Sequence, residues 1–147
     1  MQLFFDPMVQ SSFQERVGRL RADAPALWGR MNAAQMLAHC VLTMQMPTGE
    51  VKVKAGFMSL LGRLLKKKIL GEQPFRHGVP TDKVFLVNDA REFEQERARY
   101  LNQLLVLSKG PEAITSHLHP FFGTMTNEEW SRLLFKHLDH HLRQFGV

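Results

Sequence analysis

The sequence predicts an all-α protein: an antiparallel four-helix bundle with an extra short helix and a long loop between the second and third long helices. Three observations lead there. Four long segments carry apolar residues at spacings of three and four, the period of a helix with one buried face. Two of those segments open with a capping box, in which the N-cap side chain and a side chain three residues later satisfy each other's backbone donors. Strand signals are thin, confined to the isolated run KVFLV, Lys83 to Val87. At 147 residues the chain suits one domain, 1–147, with a genuine core.

The first helix is expected from about Met8 to Ala24, with Phe13, Val17 and Leu20 on one face and Pro25 as its stop. The second opens with NAAQ, where Asn32 caps and Gln35 answers, and ends at Pro47 and Gly49. Met36, His39 and Thr43 share one of its stripes, and Leu37, Val41 and Met44 share another. The stretch from Gly49 to Asn88 breaks the rhythm. It holds a short basic helix and then the loop GEQPFRHGVPTDK. The third long helix is expected to begin near Asp89, with Glu92 three residues on, and to carry Phe93, Tyr100, Leu101, Leu104 and Leu107 up to Gly110-Pro111. A loop, EAITSHLHPFFGTM, follows. The fourth long helix starts at the capping box of Thr126 and Glu129 and runs to about Phe145, before Gly146.

Composition narrows the class. Hydrophobic residues make up 44% and charged residues 22%, which is ordinary for a globular protein. No stretch approaches the roughly 20 apolar residues of a membrane span. The start, MQLFFDPMVQ, lacks a basic region followed by a long apolar run, so no signal peptide is expected. Cys40 is the single cysteine, which rules out an intrachain disulfide and fits a reducing, cytoplasmic compartment.

The net charge of +5 is uneven, because Gly62 to Leu70 (GRLLKKKIL) alone carries four of the nineteen basic residues. Two readings stand for this segment. One is a short helix lying over the domain with its lysines in water. The other is an amphipathic helix on a phosphate-bearing or anionic lipid surface. The solvated helix is the expected form, so membrane contact is not expected, and with no aromatic interleaving or nucleic-acid motif beside the cluster no nucleic acid is expected either.

The chemistry concentrates in the histidines. KHLDHHLRQF, Lys136 to Phe145, holds three of the seven. His137 and His141 are four apart, so they share one helix face with β-carbons about 6 Å apart. Trp130 and Leu134 lie on the same stripe, which therefore points inward. His39 is the one histidine on any of the other three long helices, in the apolar run QMLAHCVL. Together the three make a candidate divalent metal site, with nitrogen ligands at about 2.0–2.1 Å. Each residue also has a plainer use. Histidines near a helix C-terminus favour its dipole, and a mid-helix histidine is commonly a hydrogen-bonded core residue.

His140 is turned about 100° from His141 and points elsewhere. Asp139 projects off the ligand stripe. His117 and His119, before Pro120, are reserve ligands, and His77 beside Gly78 reads as surface loop. Gln144 can hold a ligand imidazole or a substrate, Trp28 can wall a pocket or pack, and Cys40 reads as a small buried hydrophobe. The candidate supporting or pocket residues are thus Gln144, His140, Trp28, Trp130 and His119.

These residues carry a resemblance. WGRMNAAQMLAHC (Trp28 to Cys40), the pair Pro80-Thr81, HPFFGTMTNEEW (His119 to Trp130) and the terminal KHLDHHLRQFGV resemble the DinB/YfiT-like superfamily, closest to a subfamily known only as a domain of unknown function. The superfamily shares a His on the second helix and His-x3-His-x2-Gln on the last, which fall here on His39, His137, His141 and Gln144. The resemblance implies a four-helix bundle that binds zinc or nickel, and in some members iron, through three histidines. It also implies homodimers and a small-molecule substrate. Characterised relatives include S-transferases and isomerases that use low-molecular-weight thiols. The residues that bind such thiols are not recognisable in this chain. A metal-dependent enzyme of the thiol S-transferase kind is the expected function. A hydrolase and a non-catalytic metal-binding or structural bundle stand as alternatives.

Overall fold

The computed structural model describes residues 3–78 and 83–147. They form five α-helices, α1 (Pro7–Arg19), α2 (Ala33–Gln45), α3 (Ser59–Ile69), α4 (Phe93–Leu107) and α5 (Asn127–Gln144). A two-stranded antiparallel sheet, β1 (Leu118–His119) with β2 (Gly123–Thr124), lies between α4 and α5 in sequence. Pro80 and Thr81, part of the resemblance, lie outside the described residues.

Local chemistry sets the boundaries. Asp6 accepts from Met8 N at 2.8 Å, and Pro7 occupies a first-turn position whose N–H has no helical partner anyway. α1 ends at Arg19, short of the expected Ala24. Leu20 turns extended there and buries its side chain, so the chain leaves the helix to fill the core well before Pro25. Both expected capping boxes form: Asn32 with Gln35, and Thr126 with Glu129. α4 begins at Phe93 rather than near Asp89, because Glu92 is itself the N-cap and accepts from Gln95 N at 2.7 Å. Asp89 pairs instead with Arg91.

The isolated run with the thin strand signal holds a 3-10 turn, Lys83–Phe85. One further expectation is corrected. The segment expected as a plain loop carries the β1–β2 hairpin, in register Leu118 to Thr124 and His119 to Gly123. The chain is therefore mostly helical rather than wholly so.

α2 lies along α4 and meets α5, while α1 touches α4 and α5. The seam between them is apolar: Phe13, Val17, Met36, Leu37, Tyr100 and Leu104 are all buried there. Each such side chain contributes about 1.5–3 kcal/mol, far more than helix propensity does. A second cluster, with Phe85, Phe122, Met125 and Trp130, fastens the hairpin and the 3-10 turn to the start of α5. α3 lies over the hairpin. Gly62 packs so closely on the Phe121 carbonyl that any β-carbon there would overlap it. No described helix is long and apolar enough to cross a membrane.

Candidate metal centre

Two helices bring the three histidines together. His39 is buried on α2, and His137 and His141 are half-buried one turn apart on α5. Their ring centroids stand 4.9, 4.7 and 4.6 Å apart, nearly an equilateral triangle. One ligand nitrogen from each lies within 4.8 Å of the others. Three nitrogens at about 2.0–2.1 Å from one tetrahedral ion would be about 3.3 Å apart. His39 Nε2 and His137 Nε2, at 3.0 Å, already stand near that separation.

The outer nitrogens decide which way the lone pairs face. His39 Nδ1 is 2.8 Å from the carbonyl of Phe85, which can only accept, so Nδ1 carries the proton and Nε2 is a free donor atom. His141 Nδ1 donates in the same way to Gln144 Oε1 at 2.9 Å. The Gln144 amide is held in turn, its Nε2 donating to the Trp28 carbonyl at 2.6 Å. That contact depends on Gly29, where the backbone has φ +79 and a β-carbon would sit 2.5 Å from Gln144 Nε2. His137 has no such support. Its Nδ1 is buried and finds no partner among the described residues. Thr43 Oγ1, one turn after His39, lies 3.5 Å from His137 Nε2.

The site keeps its imidazoles neutral. Burial lowers the pKa of His39, against a smaller raising effect from the Phe85 carbonyl. Burial first, and the neighbouring rings second, push His137 well below the ordinary histidine value. The same causes bring His141 down to about 3. Neutral rings with two lone pairs aimed inward suit a cation, since a metal takes the unprotonated nitrogen. The donor set therefore fits a divalent ion.

The remaining candidates sort into two groups. Trp28 and His140 border the triangle: His140 lies 5.1 Å from His141 and 5.4 Å from Trp28, centroid to centroid. His119 and Trp130 belong to the hairpin side and stand 5.6 Å apart. His119 Nδ1 accepts from Phe121 N and Phe122 N, both at 3.1 Å, and His119 does not join the three-histidine group. His117 Nδ1 instead donates to the Met125 carbonyl at 3.0 Å, and His117 likewise stands outside the group. Cys40 faces the other way, its thiol against Met36 Sδ, and burial raises its pKa. Asp139 pairs with Arg16 and Arg143, away from the triangle.

Four participants escaped the sequence. His77 is exposed in a loop, as expected, yet its ring stacks on Trp28 at 3.8 Å and 10°. The Phe85 carbonyl and the Gly29 turn are backbone features that no side-chain pattern marks. Thr43 did carry a signal, its shared stripe with His39.

A family model described as "Protein of unknown function (DUF1569)" matches residues 10–146. No curated protein and no solved structure matches the chain.

Proposed function

The chain belongs to the DUF1569 family, and from that premise we propose that it is a metal-dependent enzyme whose divalent ion is held by His39, His137 and His141. The single observation that carries this is the inward convergence of three neutral imidazoles, two of them oriented by a hydrogen bond on the far side of the ring. The contacts of α2 with α4 and α5, and of α1 with α4 and α5, support a DinB/YfiT-like four-helix bundle in one domain as the frame of this reading.

Three protein ligands leave an open position, the arrangement of catalytic rather than closed structural zinc sites. A divalent ion bound there supplies the charge that deprotonates a thiol or brings a water pKa towards about 7. Imidazole ligands suit zinc, nickel or iron. Around that position the chain's own groups bind and orient. Gln144 and the Phe85 carbonyl fix the rings, Thr43 offers a hydroxyl beside His137, and Trp28 with His140 walls the side next to His141.

Hydrolysis calls for a base beside the water. The acids of α5 are engaged elsewhere: Asp139, between the two histidines, pairs with Arg16 and Arg143, Glu128 pairs with Arg132, and Glu129 closes the capping box and takes Lys66. That favours thiol transfer, for which an ion held by the three histidines would supply the charge that lowers a thiol's pKa without a neighbouring protein base.

Elemental analysis of untagged protein tests the reading. One equivalent of zinc, nickel or iron is expected in the native chain and little in the His137→Ala/His141→Ala variant. Equal, negligible metal in both sinks it. A full equivalent of metal with no turnover of any thiol or hydrolysable substrate moves the protein to the non-catalytic bundle.

A further inference from the structure

α3 is attached by the wrong face for an ordinary surface helix. Its inward side is Gly62, Lys66 and Ile69, spaced four and three apart. Gly62 abuts the Phe121 carbonyl, and the Lys66 ammonium reaches both Glu129 at 2.9 Å and the Thr124 carbonyl at 2.8 Å. Lys136 anchors the C-terminal end by donating to the carbonyls of Ile69 and Gly71. The basic residue at the centre of the run is thus the internal anchor.

The leucines face the water instead. Phe57 is 100% exposed, Leu60 70% and Leu64 75%, with Leu61 and Leu65 beside them. At 100° per residue, Leu60, Leu61, Leu64 and Leu65 make one continuous stripe on α3, Lys68 extends it by a turn, and Phe57 stands in the turn just before the helix. Scattered exposed leucines need no explanation, but a contiguous row on one firmly held helix does.

Charge selects what covers this row. Between Val51 and Gly71 there are six basic residues and no acidic one. Lys67 and Lys68, at the end of α3, are exposed. Lys52 and Lys54 are exposed too, because the alternating Val51 and Val53 pack inward. Pairing of α3 with a second copy would set this cationic row against another, with no acid in the first turn to receive it. An anionic bilayer meets both requirements at once: acyl chains for the leucines, and phosphate headgroups for lysines on long stems.

We infer that α3 is an interfacial helix that docks the protein, lying flat, on a membrane rich in anionic phospholipid. It inserts rather than spans: such a face enters about 5–10 Å into the headgroup boundary. This is independent of the metal reading, since the contact uses none of the three histidines.

Co-sedimentation of the full chain with phosphatidylglycerol–phosphatidylcholine vesicles tests it, beside vesicles of phosphatidylcholine alone. Binding is expected to the mixed vesicles only, and to weaken as salt shortens the Debye length towards about 3 Å. Leu60→Glu/Leu64→Glu and Lys67→Glu/Lys68→Glu should each weaken it by about tenfold or more. Both pairs are exposed, so melting temperature and metal content should stay native, which separates lost docking from lost folding. Equal binding to neutral vesicles, or undiminished binding by the leucine variant, overturns the inference. So does a dimer that Leu60→Glu/Leu64→Glu dissociates while vesicles bind neither form, because the row would then cover a second copy.

Discussion

His39 and His137 present their Nε2 atoms to each other at 3.0 Å, across 98 residues of chain. Only one hydrogen fits between them. His39 has its proton on Nδ1, committed to the Phe85 carbonyl, so in protein stripped of metal the hydrogen at this contact comes from His137. Metal binding needs that nitrogen bare, and the proton must then move to His137 Nδ1, which has no partner among the described residues. Nitrogen-15 spectra of the imidazoles should show His39 and His141 as Nδ1–H tautomers with or without zinc. His137 alone should switch, from Nε2–H to Nδ1–H. A protonated Nε2 on His39 in either state contradicts this.

Gln144 acts through His141. Truncation to alanine removes the acceptor that holds His141 Nδ1–H, and losing such a partner typically costs 10–100-fold in metal affinity. Gly29→Ala should produce a similar loss without touching the site, because the added methyl would stand 2.5 Å from Gln144 Nε2. It also forces a non-glycine residue to φ +79, at about 1–2 kcal/mol. Competition with a chromophoric chelator measures both affinities. Native affinity in Gln144→Ala would show the hydrogen bond to be ornamental.

The three imidazoles of the triangle set a pH dependence whose sign is fixed. Their pKa values are lowered in the folded protein, while in the unfolded chain they return to about 6.5. Between those limits the unfolded chain holds more protons, so stability rises with pH there and is lost as pH falls. Protein stripped of metal should therefore weaken below about pH 6.5, by at most about 1.4 kcal/mol per pH unit for each histidine. For His141 the loss continues down to about pH 3. Above pH 6.5 these groups contribute no slope. Urea midpoints across this range check it, and a midpoint unchanged between about pH 7 and pH 5 would refute it.

The site was more legible than its frame. Spacing alone put His137 and His141 on one face, and the apolar run around His39 pointed it inward, because a helix converts sequence distance into direction. Both capping boxes could be read for the same reason: their partners are three residues apart. What the sequence hid is nonlocal or made of backbone. Nothing near Val84 announces that its 3-10 turn aims the next residue's carbonyl at His39, and Gly29 looks like any turn glycine until Gln144 packs on it. The hairpin between α4 and α5 was missed because two-residue strands have no periodicity to detect. The polarity of α3 was hidden too, since helical spacing marks two faces without saying which one docks.

Gly62 gives that last point a test. It is the one position where α3 approaches the hairpin closely enough to exclude a side chain, with the Phe121 carbonyl and ring against it. In an exposed helix, glycine to alanine should stabilise by about 1 kcal/mol through propensity. Here the methyl meets a backbone carbonyl that cannot rotate away, and overpacking of that kind costs about 1–3 kcal/mol. The two terms oppose, and the steric one wins because the obstacle is main chain. Gly62→Ala should thus lower the urea midpoint and speed tryptic cleavage after Arg63 and Lys67. Metal affinity should hold, since the ligand rings lie on α2 and α5. A gain in stability would mean that α3 does not rest on the hairpin by this face, and the outward row of leucines would lose its basis.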